Sequence, residues 1–353
     1  MKKLSYVSTT FTNNECFEPK GVHNRDGFLD FIVELKVNLH KEGYDLSTED
    51  INPVGSSSIA IHANLRPDFK RYLAKQNILI IFESEAIVKR NFNLDSHKYF
   101  DIIFTWNKSL VDNVKYFYIN YSHNITDQEI TGVTSIPPQK RKGKILISSN
   151  KHCAYKDELY TERLKIIDWY EKYDRKNSFH LYGTRWELVI LKNWPFSNII
   201  NEFNRKYKFL TQNRSSYKGL VEFKSATYSQ YKYAYCLENA RGINGYITEK
   251  IFDAFRAGIV PIYIGNEDVN NSIPENCFIN YDSFVSISTL DDYLEKVSDA
   301  DYQKIQENIE IFLKSEKYYC FSSEYFSEKI VTGVINLSNC NKSSDNDSMN
   351  ELS

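Results

Sequence analysis

Much is excluded by what this 353-residue sequence has little of. Its 7 histidines are scattered, and its 6 cysteines, Cys16, Cys153, Cys236, Cys277, Cys320 and Cys340, form no CxxC pair. Neither a zinc site nor a dithiol redox motif is encoded, and the cysteines read as free thiols. Acidic triplets that could hold a divalent metal at a strand end are missing, because Asp299-Ala300-Asp301 stands beside a helix and Asp345-Asn346-Asp347 in the tail. No metal site is expected. Charge of one sign is not in excess either: 44 Lys and Arg face 46 Asp and Glu, for a net charge of −2. Whole-chain electrostatics therefore gives no reason to expect nucleic acid as a partner. No uninterrupted apolar run nears the ~18 residues of a membrane span, and the opening MKKLSYVSTTFTNNECF lacks the apolar core of a secretory signal. A cytoplasmic location is the expectation, under which triplets such as Asn124-Ile125-Thr126 carry no weight as glycosylation sites.

What the sequence does hold is apolar and aromatic: 42% hydrophobic residues, with 26 Tyr and 22 Phe, enough for large cores. At ~100 to 200 residues per domain, the length predicts two domains. The first half alternates strand and helix patterns. LSYVS, SIAIHANL, NILIIFES and FDIIFTWN read as strands. Residues 25–42, with Phe28, Ile32, Leu35 and Leu39 at helical spacing, and RPDFKRYLAKQ read as helices. That order predicts a parallel sheet whose functional loops follow the strand ends, so Glu83 and Glu85 after NILIIF stand at such an edge.

Residues 122–143, with two prolines and a basic cluster, read as a linker. Domain boundaries of 1–135 and 143–320 follow. The second domain continues with strand KILISSN, a helix over Leu159 to Tyr173 carrying Arg163, strand SFHLYGT, and YKYAYCLEN. Thr289 is placed to cap a further helix, and the helix SEYFSEKIVTGV, over 321–337, is expected to pack back on the first domain. Residues 338–353 read as a disordered tail.

The richest stretch runs from Tyr233 to Asn280. A strand ending at Leu237 meets Glu238 and Asn239, then a glycine-bearing turn ending in Tyr246. Thr248 then stands as N-cap of a helix with Ile251, Phe252 and Phe255 on one face, closed by Gly258 before strand VPIYIG. The loop delivers backbone N–H groups, the Tyr246 hydroxyl, Glu249 and Lys250 to one helix N-terminus, which suits a diphosphate. The plainer reading is an ordinary βαβ segment with solvated first-turn charges.

The words themselves go further. ENxxxxxGYITEK followed by AGIVPIYIG resembles the signature of the bacterial-type α1,3/4-fucosyltransferases, over residues 233–284, and ISSN, Arg163 and LYG over 145–183 follow the same order. The resemblance implies a GT-B-like α/β fold with two Rossmann-like domains facing across a cleft and GDP-fucose as donor. It places Lys250 and Arg163 on the diphosphate, and Glu238, Asn239, Tyr246 and Glu249 in the donor pocket. It also implies a catalytic base at a strand end, where IFESEAI offers Glu83. Glu85 replaces the proline found there in the family, so either carboxylate could serve, with Glu83 the position that matches.

The reaction so implied is a single inverting displacement giving an α1,3-fucoside on an N-acetylglucosamine- or glucose-type residue. No cofactor is required, and any Mn²⁺ or Mg²⁺ effect would be non-essential stimulation. The acceptor would be a free, lipid-linked or lipopolysaccharide glycan, reached by peripheral association with the inner face of a membrane. The competing readings are a GT-B enzyme using another GDP-sugar and a non-catalytic glycan-binding module.

Overall fold

The computed structural model describes residues 1–174, 176–191 and 195–350, with side chains to residue 339. The chain forms two compact units, each organised by one parallel sheet.

The first unit comprises Met1–Ile125, Ile243–Glu249 and Ser315–Ser353. Its strands are β1 (Lys2–Val7), β2 (Tyr44–Thr48), β3 (Ile59–Ala63), β4 (Gln76–Ile81), β5 (Ile102–Thr105) and β6 (Tyr116–Tyr118), in the order β2-β1-β3-β4-β5-β6. Every ladder is parallel. Successive strand residues point to opposite faces, and both faces of this sheet are covered. Ile78, Ile80, Ile102 and Phe104 pack on one side with Phe31, Ile32 and Leu35 of helix α1 (Asp30–Lys41), while Leu79, Ile81 and Ile103 pack on the other with Leu65, Phe69 and Phe100. This is why NILII is apolar without alternation. A short helix α2 (Leu94–His97) precedes β5.

The second unit comprises Thr126–Gly242 and Lys250–Lys314. Its helices are α3 (Asp127–Gly132), α4 (Tyr160–Tyr173), α5 (Ser197–Tyr207), α6 (Lys224–Tyr228), α7 (Glu249–Arg256), α8 (Ile287–Lys296) and α9 (Asp299–Leu313), with Glu249 of α7 grouped in the first unit. They surround strands β7 (Lys142–Ile147), β8 (Phe179–Tyr182), β9 (Tyr231–Leu237), β10 (Val260–Ile264) and β11 (Ile279–Asn280), ordered β11-β10-β9-β7-β8. Helices α10 (Glu316–Tyr319) and α11 (Ser323–Asn350) follow, and α11 packs Phe326, Ile330 and Val334 into the α1 core of the first unit. Of the tail read as disordered, 338–353, residues 351–353 and the side chains from 340 on, those of Asp345 and Asp347 among them, lie outside the described residues.

Several expectations need correction. RPDFKRYLAKQ is not a helix. Only a 3-10 turn forms over Phe69–Tyr72, because Arg66 is drawn instead to the Ser8 carbonyl at 2.9 Å and to Glu49, and the Ala74 N–H donates to Asn77 Oδ1 at 2.9 Å. These bonds hold the backbone away from a helical ladder. Phe28 precedes α1 and is exposed, while Ile32, Leu35 and Leu39 are buried as their spacing requires. Ser286, not Thr289, caps α8, and Thr289 sits at the third helical position, returning a bond in a capping box. The stretch read as a linker, 122–143, contains α3, started by a Thr126/Glu129 capping box. Among the described residues no helix is long and apolar enough to cross a membrane.

Candidate active site

Open parallel sheets bind ligands at the carboxyl ends of their strands, and the residues singled out from the sequence lie at those ends in each unit. In the second unit, Glu238 is the first residue beyond β9. Its N–H donates to the Ile264 carbonyl at 2.9 Å, and its side chain is fully buried, 3.3 Å from Lys250 Nζ. Lys250 lies in the first turn of α7 and keeps 21% of its side chain exposed. Room for the carboxylate depends on Gly265 after β10, where a Cβ would come within 2.5 Å of Glu238 Cγ. A buried carboxylate beside a partly exposed ammonium is a charge pair whose cation also reaches the surface.

Arg163 comes to the same strand ends from α4. It is buried, its Nη1 lies 3.5 Å from the Ser149 carbonyl, and its Nε has no hydrogen-bond partner. Burial holds its pKa below the ordinary guanidinium value, while the Tyr160 hydroxyl and the carboxylates of Glu158 and Glu238 act in the opposite direction. Beneath it lies the Tyr160 ring, 4.9 Å from the guanidinium carbon, and the Tyr160 hydroxyl donates to Asn239 Oδ1 at 3.2 Å. Asn239 in turn accepts the Leu159 N–H on its carbonyl at 3.1 Å, tying the loop after β9 to the start of α4. A guanidinium buried with unmet hydrogen-bonding capacity is the signature of a site that expects an anion.

Beyond β7 and β8 the same unit contains a cavity of about 420 Å³, lined among others by Asn150, Lys151, His152 and Arg185. Asn150 adjoins Ser149, so this cavity opens from the loop that Arg163 touches. Of these four, Asn150 stood in the ISSN word, and Lys151, His152 and Arg185 were not singled out from the sequence. Arg185 carried a signal only in its backbone, a left-handed φ of 70° that a sequence does not display.

In the first unit, Glu83 stands two residues beyond β4. Its N–H and that of Phe82 both donate to Asn64 Oδ1, at 2.9 and 3.0 Å, and Asn91 Nδ2 donates to the same oxygen and to the Glu83 carbonyl. The carboxylate accepts the Tyr246 hydroxyl at Oε2, 3.2 Å away. Glu85 lies in the turn that follows, with no such bond among the described residues. Glu249 opens α7, half-buried, directly after the buried Thr248.

The predicted residues thus form two sets. Glu238, Asn239, Lys250 and Arg163 gather in the second unit, and Glu83, Tyr246 and Glu249 belong to the first. Among the described residues no group of three His, Cys, Asp or Glu side chains could hold a metal. Asp299 is engaged by Lys232 and Gln139, and Asp301 by the Ser298 cap, so that triplet serves the start of α9.

Comparison with known proteins bears on the family and the fold. Residues 199–346 match the model for glycosyltransferase family 10 (fucosyltransferase), C-terminal part. An α-(1,3)-fucosyltransferase of Helicobacter pylori is 37% identical over 75 residues, covering 21% of this chain and 16% of that protein. The crystal structure of an α1,3-fucosyltransferase with GDP-fucose superposes with a TM-score of 0.53 at 18% identity, covering 94% of this chain and 90% of the other. HepE of Anabaena in complex with UDP-glucose reaches a TM-score of 0.56 at 7% identity, covering 95% and 100%. These two share a fold with this chain, the GT-B fold of glycosyltransferases, whatever nucleotide they carry. With the ENxxxxxGYITEK loop lying inside the matched span, residues 199–346 carry the C-terminal part of a glycosyltransferase family 10 (fucosyltransferase) domain, and the chain spans less than a fifth of the length of the curated fucosyltransferases it matches.

Proposed function

We propose that the protein transfers L-fucose from GDP-fucose to a sugar hydroxyl with inversion, making an α1,3-fucoside on an N-acetylglucosamine- or glucose-type residue of a glycan. The observation that carries the reading is Arg163, buried with an unpartnered Nε, next to the Glu238–Lys250 pair at the start of a helix. Two cations and a helix N-terminus suit a diphosphate. The family supplies the sugar, and the matched structure with GDP-fucose supports the choice of donor.

In this reading Arg163 and Lys250 hold the diphosphate, Glu238 fixes Lys250, and Asn239 and Glu249 complete the donor pocket. The cavity beside Asn150 gives the nucleoside its room. Glu83 accepts the proton of the acceptor hydroxyl as its oxygen attacks the anomeric carbon. The bond to the diphosphate breaks, its electron pair leaves with GDP, and the β-linked donor becomes an α-fucoside. The charge that grows on the leaving diphosphate is met by the two cations and the α7 dipole, the work a divalent metal performs elsewhere. A free, lipid-linked or lipopolysaccharide glycan as acceptor, met in the cytoplasm at a membrane face, completes the proposal.

The test is a glycan panel incubated with GDP-fucose, the released GDP measured and the product anomer assigned by NMR. An α-fucoside with matching GDP release is the expected result. A β product would refute inversion, turnover with a different GDP-sugar alone would refute the donor, and glycan binding without turnover would make the chain a binding module.

A further inference from the structure

The longer helices of the second unit bury apolar residues, as α4 does with Ile166, Ile167 and Tyr170 and α7 with Ile251, Phe252 and Phe255. Helix α5 is turned the other way. The residue it buries is Asn204, while the apolar side chains Ile199, Phe203 and Tyr207 are 57%, 54% and 60% exposed. Spaced four residues apart, these three share one side of the helix, and the exposed Phe196 stands at its start.

Hydrogen bonds rather than apolar contacts hold α5 in this orientation. Asn204 Nδ2 donates to the carbonyls of Val189 and Leu210, each at 2.9 Å, and Asn204 Oδ1 accepts the Leu210 N–H at 2.7 Å. Asn201 accepts the Leu191 N–H and donates to the Leu191 carbonyl, both at 2.9 Å. Rolling the apolar side inward would break these bonds and leave the backbone groups of Val189, Leu191 and Leu210 without them, a cost that keeps the stripe turned to solvent. Aromatic and aliphatic side chains fixed outward in this way mark an interaction surface.

Charge says what covers it. Between Phe196 and Phe209 stand three cations, Arg205, Lys206 and Lys208, against the single acid Glu202. Arg205 pairs with Glu202, and Lys208 lies 3.9 Å from Glu187. Lys206 borders the stripe, 5.2 Å from the centroid of the Tyr207 ring, and forms no ion pair among the described residues. A second copy of the chain does not supply the missing charge: paired antiparallel, the cationic end of one α5 meets Phe196 and Ile199 of the other, and paired parallel it meets itself. A bilayer with anionic headgroups does supply it, with Lys206 and Tyr207 at headgroup level and Phe203, Ile199 and Phe196 below. At about 16 Å, α5 is too short to cross a bilayer and long enough to lie along one.

We infer that α5 is a membrane-docking helix, which lays its side bearing Ile199, Phe203 and Tyr207 into the interface of an anionic phospholipid bilayer. The inference rests on the reading that the acceptor is met at a membrane face, and its test does not need the transfer reaction.

The full chain is sedimented with vesicles of phosphatidylcholine alone and of phosphatidylcholine containing one quarter phosphatidylglycerol. Binding to the anionic vesicles is expected, weakening as salt rises, with little on the neutral ones. The double change Ile199→Ser with Phe203→Ser should lower the partition coefficient by about 10-fold or more, from the apolar area no longer buried. Lys206→Ala should lower it by about 5-fold, the share of one cation at an anionic surface. Both variants should keep the parent melting temperature and the parent turnover of a soluble glycan. If the serine variant melts early, Lys206→Ala carries the test alone. Absence of binding, equal binding to neutral and anionic vesicles, or binding unchanged in the variants would overturn the inference. So would a dimer that the serine variant dissolves without any vesicle binding, which would make the stripe a contact between copies. Salt-sensitive vesicle binding by a protein inert towards every glycan would refute the proposed reaction and leave the docking surface standing.

Discussion

Replacing Lys250 by methionine removes the charge of the side chain while keeping most of its volume, and two consequences can be separated. Glu238 is fully buried and 3.3 Å from the ammonium. At an effective dielectric of about 20, two unit charges that close attract by about 5 kcal/mol. Desolvation of the lysine offsets part of this, and Arg163, whose pKa Glu238 helps to raise, supplies some compensation when Lys250 is gone. Removing one partner of a buried pair costs ~3 to 5 kcal/mol, and with 21% of the lysine exposed the lower end, about 3 kcal/mol, is expected. Lys250→Met should therefore lose about 3 kcal/mol in urea unfolding. The double variant Lys250→Met with Glu238→Gln should lose far less than the two single changes together, since no carboxylate is left without its cation. Titration calorimetry with GDP then reads the second role. In the stable double variant GDP should still bind more weakly by ~1.5 to 3 kcal/mol, the worth of a charge-assisted bond to phosphate. A Lys250→Met protein as stable as the parent would refute the buried pair, and full GDP affinity in the double variant would remove Lys250 from the diphosphate.

Glu83→Gln should lower turnover by ~10² to 10⁴, the range for a lost general base, while Glu85→Gln stays close to parent activity; the reverse order in a GDP-release assay would move the base by two residues. Chelation with EDTA should leave most of the turnover, and complete loss restored by Mn²⁺ would show that the cations of the second unit do not suffice. His62, fully buried on β3, has its pKa lowered by burial from 6.5 to about 4, partly opposed by the Tyr72 backbone and the Asn77 side chain. The folded imidazole stays neutral while the unfolded one protonates below pH 6.5, so stability is present above that pH and is lost as pH falls towards 4, by up to about 3 kcal/mol. His62→Leu should flatten the dependence of unfolding free energy on pH between 7 and 5; a slope unchanged from the parent would count against this account.

Local pattern made parts of this protein legible in advance. The apolar runs Ile78–Ile81 and Tyr233–Leu237 announced β4 and β9, since a strand covered on both faces leaves no polar position to alternate with. Gly258, in a left-handed conformation at φ 63°, ended α7 where a glycine should. By contrast, β2, β6 and α5 went unread, because YDLST and YFY are too short for a period to show and the stretch before β9 is too polar. The failed helix at 66–76 shows the limit from the other side: its pattern was adequate, but Arg66 found partners at Ser8 and Glu49 that no window of sequence contains.

The same division runs through the site. By itself the sequence determined the strand–loop–helix–strand unit around ENxxxxxGYITEK and which side chains its loop carries, because those depend on the preferences of neighbouring residues. Only the tertiary structure decided what each side chain faces. It paired Lys250 with a carboxylate 12 residues away, brought Arg163 under the loop after β7, and gave Tyr246 to Glu83 at a separation of 163 residues. Such contacts arise where helices and loops pack on sheets, and chain-local preferences are silent on which distant groups that packing will join.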